Sequence, residues 1–202
     1  MSPDTRTKII MTAMELFWDK GYGSTSVSDI LSRSQIHSGS LYHFFPGKQD
    51  VLIGVLEFYR DQINEWLLVP AWSGIDDPIE KIFALLNAYR TQLLTTDFSF
   101  GCPIGNLALE LHEPDPKVRE LLAANFANWT TAIEGCLDAA KNRLPHRADR
   151  RALAEYILTV MEGAVMQSRS YRDIGYFDRN VATLRQHIDL LATQARAELV
   201  NV

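Results

Sequence analysis

Three features of the sequence predict an all-α fold. Apolar residues recur at three-and-four spacing along most of the chain. Helix start and stop signals cut that periodicity into segments. No stretch alternates apolar and polar residues as a half-buried strand would. With 202 residues, 47% hydrophobic and 22% charged, the chain can bury a sizeable core and is too apolar for disorder.

The elements follow in order. Ile9, Ile10, Ala13, Met14, Leu16 and Phe17 place an amphipathic helix over residues 5–20, with Gly21 as its stop. Ser26-Val27-Ser28-Asp29 has the capping-box form and opens a helix of about two turns. That helix buries Val27, Ile30 and Leu31, and Ser34 to His37 interrupt it. A third short helix holds Ser38 to Phe44 or Phe45. Pro46 ends it, because the residue before proline avoids helical geometry. Gly47-Lys48-Gln49-Asp50 then opens a long helix running to about Leu68, with Val51, Leu52, Val55, Leu56, Tyr59 and Ile63 on one face.

Pro70, Gly74 and Pro78 mark a linker. Periodicity resumes over residues 78–95, stops near Gly101-Cys102-Pro103 and restarts over 104–112. Pro114 and Pro116 mark the next joint. Long helices fit residues 115–143, 147–172 and 178–200, parted by Pro145 and Gly175. The expected organisation is a domain over residues 1–47, continuing into a linking helix 48–68, and a larger helical domain over 69–202.

Charge and composition exclude several classes. The net charge of −5 argues against a generally basic nucleic-acid protein. It is unevenly distributed: residues 1–60 carry six Lys/Arg and six Asp/Glu, and the remaining residues carry the excess acid. A neutral N-terminal unit can still meet phosphate if its few bases and helix N-termini face one way. No run of about 18 apolar residues occurs, so no membrane span is expected. No apolar region of a secretory signal follows the first residues. A cytoplasmic location is the resulting expectation. Cys102 and Cys136 lie far apart, and His37 and His43 lack the spacing of a one-face ligand pair, so no metal or cofactor is expected. Gly-x-Ser-x-Gly, His-Glu-x-x-His, P-loop and Rossmann signatures are missing, and no enzyme is expected.

Residues 26–45 form the pattern helix, tight turn, helix. This is the helix-turn-helix arrangement, whose second helix enters the major groove of DNA. Ser38-Gly39-Ser40 opens that helix with small side chains, which let backbone approach base edges closely. Tyr42 and His43 follow as longer polar reaches. Lys48 lies in the first turn of the next helix, where its charge and the free N–H groups can hold one phosphate.

These residues carry a resemblance. Thr25-Ser-Val-Ser-Asp29-Ile30, then Ser38-Gly-Ser-Leu-Tyr42-His-Phe-Phe45-Pro-Gly-Lys48-Gln-Asp-Val-Leu52, resembles the DNA-binding domain of the tetracycline-repressor (TetR) family. Ile10, Ala13, Leu16-Phe17 and Gly21-Tyr22 match that family's first helix. The likeness is continuous over residues 6–58. It implies a three-helix DNA-binding domain, a helical C-terminal ligand-binding and dimerisation domain, and a homodimeric repressor of double-stranded operator DNA. It further implies release by a small-molecule inducer or by cysteine modification. By position, Thr25, Ser26, Tyr42, His43 and Lys48 would meet phosphates, and Ser38, Gly39 and Ser40 would face base edges. Gln35 stands in the turn where the family often has Gly, a strained place for a side chain if φ is positive. His37 and Ser38 stand where Ser and Lys are common. A helical ligand-binding or interaction protein that no longer binds DNA is the alternative.

Further residues are candidates for the effector and the dimer. Trp66, Phe83, Tyr89, Phe98, Phe100, Cys102, Asn106, Trp129 and Met161 are expected to line a pocket, with Glu110 one turn from Asn106. Gly101-Cys102 at a helix start resembles a subset of the family whose cysteine senses electrophiles or oxidants. The helix dipole would favour its thiolate; packing is the other reading. Leu153, Ile157, Val160, Leu184, Ile188 and Leu191 repeat with helical spacing and are expected to form the dimer interface.

Overall fold

The computed structural model describes residues 4–140 and 143–200, the side chains of Leu199 and Val200 excepted. Ten α-helices and one π-helical segment are found among the described residues, with no strand.

Helix α1 (Thr5–Lys20) starts where the Asp4 side chain accepts from Thr7 N–H at 2.7 Å. It stops at Gly21, whose φ of 87° is open to glycine. Helix α2 (Val27–Ser34) has the full capping box. The Ser26 hydroxyl accepts from Asp29 N–H, and the Asp29 carboxylate accepts from Ser26 N–H at 2.7 Å. Its C-cap is Gln35, left-handed at φ 55°. Helix α3 (Ser38–Phe44) and helix α4 (Lys48–Ile63) follow. Ile9, Ile10, Ala13, Ile30, Leu41, Phe45, Val51, Leu52, Val55 and Leu56 are all buried. Each Leu or Ile so buried contributes about 1.5–3 kcal/mol.

Past Ile63 the chain differs from the expected single helix to Leu68. Asn64–Leu68 is π-helical, and helix α5 (Val69–Trp72) continues from it. Pro70 therefore lies inside a helical turn and not in a linker. The turn tolerates it because first-turn N–H groups need no intrahelical partner. Helix α6 (Pro78–Thr95) is capped by Asp77, which accepts from Ile79 and Glu80 N–H. Helix α7 (Pro103–Glu110) is capped by the Cys102 thiol, which accepts from Gly105 N–H at 3.3 Å.

Helix α8 (Pro116–Ala139) is shorter than the expected 115–143, and it ends well before Pro145. Helix α9 (Arg150–Tyr171) begins only at Arg150, because Asp149 accepts from Ala152 N–H as its cap. It is stopped by Arg172 at φ 50°, not by Gly175. Gly175 is instead the first residue of helix α10 (Gly175–Val200).

The helices group into two compact units. One is Met1–Ile63 with Cys102–Phe126, and the other is Asn64–Gly101 with Ala127–Val202. The expected division at residues 47 and 69 is contiguous in sequence, whereas these units are not. Helix α7 and the start of α8 go with the N-terminal unit, and side chains tie them there. The buried Asn125 amide donates to Leu56 C=O at 3.0 Å, and Glu110 reaches the loop after α1.

In the second unit α9 packs on α10 and on α6. The residues expected at a dimer interface differ in exposure. Leu153, Ile157, Leu184 and Ile188 are 0–8% exposed within their own chain, and Val160 and Leu191 are half-buried. Helical periodicity locates an apolar face, and here that face meets other helices of the same chain. Among the described residues no helix is long and apolar enough to cross a membrane.

Candidate nucleic-acid interface

Helix α3 has seven residues and is too short to persist alone. Leu41 and Phe45, one turn apart, hold it by burying completely. That fixes the opposite side outward. Ser38, Gly39, Ser40, Tyr42 and His43 are all exposed, Tyr42 by 53%. A Cβ added at Gly39 would meet nothing within 4 Å. The fold therefore does not require glycine there, and the open space favours close approach by something outside the chain.

Two of the expected phosphate contacts are placed differently. Thr25 is 1% exposed, and its hydroxyl donates to Gly21 C=O at 2.7 Å and Leu16 C=O at 3.3 Å. It ties the α1–α2 loop to α1 and does not face outward. The Lys48 ammonium donates to Tyr22 C=O and Thr25 C=O, each at 2.9 Å, and lies 4.2 Å from the Tyr22 ring centre. It is turned into the same loop. Ser26 is exposed, but its hydroxyl donates to Asp29 within the capping box. The hydrogen bonds from Ser26 and the nearby Lys20 ammonium, 3.0 Å away, hold the Asp29 carboxyl down at about 2.

Glu110, a pocket candidate by sequence, is found in this region instead. Its carboxylate accepts from Tyr22 N–H at 2.9 Å and Gly23 N–H at 2.6 Å. Cβ atoms built at Gly21 or Gly23 would come within 3.0 Å of it. A signal was present: an acid at a helix C-terminus opposes the helix dipole and needs a tertiary reason. Burial, with Asp50 and Glu110 nearby, pushes the Tyr22 phenol up.

The pocket candidates are not brought together in one described cavity. Phe83, Tyr89, Trp129 and Met161 are buried in the second unit, with Tyr89 edge-on to Trp129 at 6.3 Å. Phe98 and Phe100 are half-buried, and Trp66 is 49% exposed. Cys102 and Asn106 belong to the first unit, where the Cys102 thiol is 1% exposed. The second unit has one cleft of about 330 Å³ between α6 and α10, lined by Phe83, Arg90, Phe177 and Arg185. Another, of about 580 Å³, is lined by Leu68, Trp72, Lys81, Thr131 and Cys136. Phe83 alone of the expected residues lines either one. Among the described residues no three His, Cys, Asp or Glu side chains are grouped to hold a metal ion.

Comparison with known proteins places these features in a family. Residues 9–55 match the model of bacterial regulatory proteins of the tetR family, and residues 78–183 match the C-terminal domain of LmrA/YxaF-like transcriptional regulators. An HTH-type transcriptional regulator of Mycobacterium tuberculosis is 31% identical over 86% of this chain and 88% of its own. The HTH-type regulator YxaF of Bacillus subtilis is 30% identical over 84% and 87%. Among solved structures, a regulatory protein TetR from Rhodobacter sphaeroides superposes with a TM-score of 0.81 at 24% identity, covering 90% of this chain and 97% of that one. Reduced Escherichia coli NemR gives 0.78 at 20% identity, covering 91% and 96%. With its helix-turn-helix inside the first matched region, and helices α6–α9 and the start of α10 inside the second, this chain belongs to the TetR family and is a DNA-binding transcriptional regulator.

Proposed function

We propose that the chain is a homodimeric repressor, acting in the cytoplasm, that leaves its operator when a small molecule binds its C-terminal unit. The observation that carries the DNA-reading part is the outward side of α3. Ser38, Gly39, Ser40, Tyr42 and His43 are exposed on a helix that Leu41 and Phe45 anchor. Two such helices, about one DNA turn apart in a dimer, enter successive major grooves. Gly39 approaches base edges, Tyr42 and His43 approach phosphates, and Ser26 adds a phosphate contact at the start of α2. Lys48 supports the loop in the free chain.

The second copy docks on the exposed stripe of α9 and α10. Tyr156 and Met166 are 47% and 51% exposed on α9, and Leu190 is 69% exposed on α10. The rings of Tyr156 and His187 lie 6.0 Å apart, so the two exposed stripes run side by side. Pairing such faces across a two-fold axis buries them in a four-helix bundle. Repression is supported by the repressor DhaR of Mycobacterium sp., which is 25% identical over 83% of this chain. Ligand release is favoured over modification of Cys102, whose buried thiol caps α7. The proposed role is not catalytic.

The test is a fluorescence-anisotropy titration of DNA from upstream of the protein's own gene, at two salt concentrations, with unrelated DNA as competitor. Saturable binding at two chains per site, weakening steeply with salt, is the expected result. Gly39→Ala should lose affinity while melting at the same temperature or slightly higher. Binding no stronger than to unrelated DNA would remove the repressor reading for that site.

A further inference from the structure

Two charged residues of the first unit sit at the electrostatically wrong ends of their helices. Lys48 is the first residue of α4, where the dipole repels a cation. Glu110 is the last residue of α7, where the dipole repels an anion. Both point at the same stretch, Tyr22 to Thr25, of the loop between α1 and α2. The Lys48 ammonium takes the carbonyls of Tyr22 and Thr25, and the Glu110 carboxylate takes the amides of Tyr22 and Gly23. The loop thus lies with its carbonyls toward a cation and its amides toward an anion. Each charge polarises the peptide groups in the sense that strengthens the other's bonds. Cβ atoms at Gly21 and Gly23 would press on the Glu110 oxygens, so the close approach depends on those two glycines.

That loop runs directly into the Ser26 capping box. Its position sets where α2 begins, and α2 carries α3 through the turn at Gln35. We propose that Glu110 is a positioning residue for DNA binding: from the end of α7 it holds the α1–α2 loop, and with it the start of the helix-turn-helix, in the binding geometry. Any shift or fraying of the last turn of α7 then weakens DNA binding, with no DNA contact altered. The inference rests on the reading that α2 and α3 meet DNA.

Simple electrostatics and this inference disagree in sign. Removing a negative charge beside a DNA-binding surface should tighten binding to phosphate. Removing the Glu110 tie should weaken it. The experiment measures the full-length chain against duplex DNA from upstream of its own gene, at low salt where phosphate contacts alone give measurable binding. Glu110→Gln keeps the shape and one acceptor. It should weaken binding by about fivefold to tenfold, the loss of one charge-assisted bond. The salt slope should not change, because no phosphate contact is lost. Glu113→Gln removes a neighbouring exposed charge and should bind as well as the unaltered chain or slightly better. Amide exchange at Tyr22 and Gly23 should quicken in Glu110→Gln alone. If that variant melts below the assay temperature, Glu110→Asp carries the test, since it keeps the charge but lacks the reach. Binding by Glu110→Gln or Glu110→Asp equal to or tighter than the unaltered chain would overturn the inference. No binding by the unaltered chain, even at low salt, would overturn the DNA reading and the inference with it.

Discussion

In the unit Met1–Ile63 with Cys102–Phe126, most long-range polar ties end on backbone, the exposed Arg33–Glu15 pair at 3.8 Å being an exception. Lys48 takes two carbonyls, Glu110 takes two amides, and Asn125 donates to Leu56 C=O. In the unit Asn64–Gly101 with Ala127–Val202, most of them join one side chain to another. Arg90 pairs with Asp178, Arg143 with Asp77, Arg172 with Asp97 and Arg185 with Glu80. A side chain bonded to backbone fixes the path of the main chain. An exposed ion pair fixes little, contributes about 0–1 kcal/mol and fades with salt. The first unit is thus built to hold a short loop in one place, which suits a DNA-reading surface. The second is a helical stack held chiefly by apolar burial, which suits the proposed binding of a ligand and a second copy.

The largest expected effect separates core from surface in the second unit. Ile157→Ala should cost about 2–5 kcal/mol in chemical denaturation, because Ile157 is wholly buried. Leu190→Glu, on the exposed stripe, should leave the fold stable and turn the dimer into a monomer by sedimentation. If Leu190→Glu stayed dimeric, the docking face would be elsewhere.

The next pair separates backbone ties from exposed ion pairs. Lys48→Met removes a cation from two fixed carbonyls and should destabilise by about 1–2 kcal/mol. Arg90→Met breaks a two-pronged but exposed pair and should cost less than about 1 kcal/mol. Equal losses would erase the distinction between the units.

Gln35→Gly should raise stability by about 1 kcal/mol, since glycine takes the left-handed conformation without penalty. A thermal melt a few degrees higher is the readout, and an unchanged melt would mean that the Gln35 side chain compensates. The smallest effect concerns acid. The Asp29 carboxyl is depressed from 3.8 to about 2 in the folded chain. Its contribution is therefore complete above about pH 4 and is lost as pH falls towards about 2. Ser26→Ala should flatten that part of the acid-unfolding curve.

The helix-turn-helix was legible because its signals are local. The Ser26–Asp29 box, Gly21 and Pro46 each act within a few residues, and the structure puts them where the sequence does. At Gln35 the family resemblance, with Gly common at that place, points to the left-handed φ of 55° that the structure has. The remainder was decided at a distance. Periodicity marked Leu153, Ile157, Leu184 and Ile188 as one apolar face but cannot say whether that face meets its own chain or a second copy. Pro70 and Gly175 read as breaks in the sequence, although proline and glycine are both tolerated in a first turn. Aromatic side chains such as Tyr89 and Trp129 looked like pocket lining because core and pocket use the same residues. The role of Glu110 was readable only as a charge at the wrong helix end.

The most direct test of the account is hydrogen exchange of the full chain with and without DNA from upstream of its own gene. The account predicts slowed exchange concentrated in residues 22–27 and 37–49, covering the α1–α2 loop, α3 and the start of α4. A complex that forms while those segments exchange as they do in the free chain, with protection elsewhere, would contradict it.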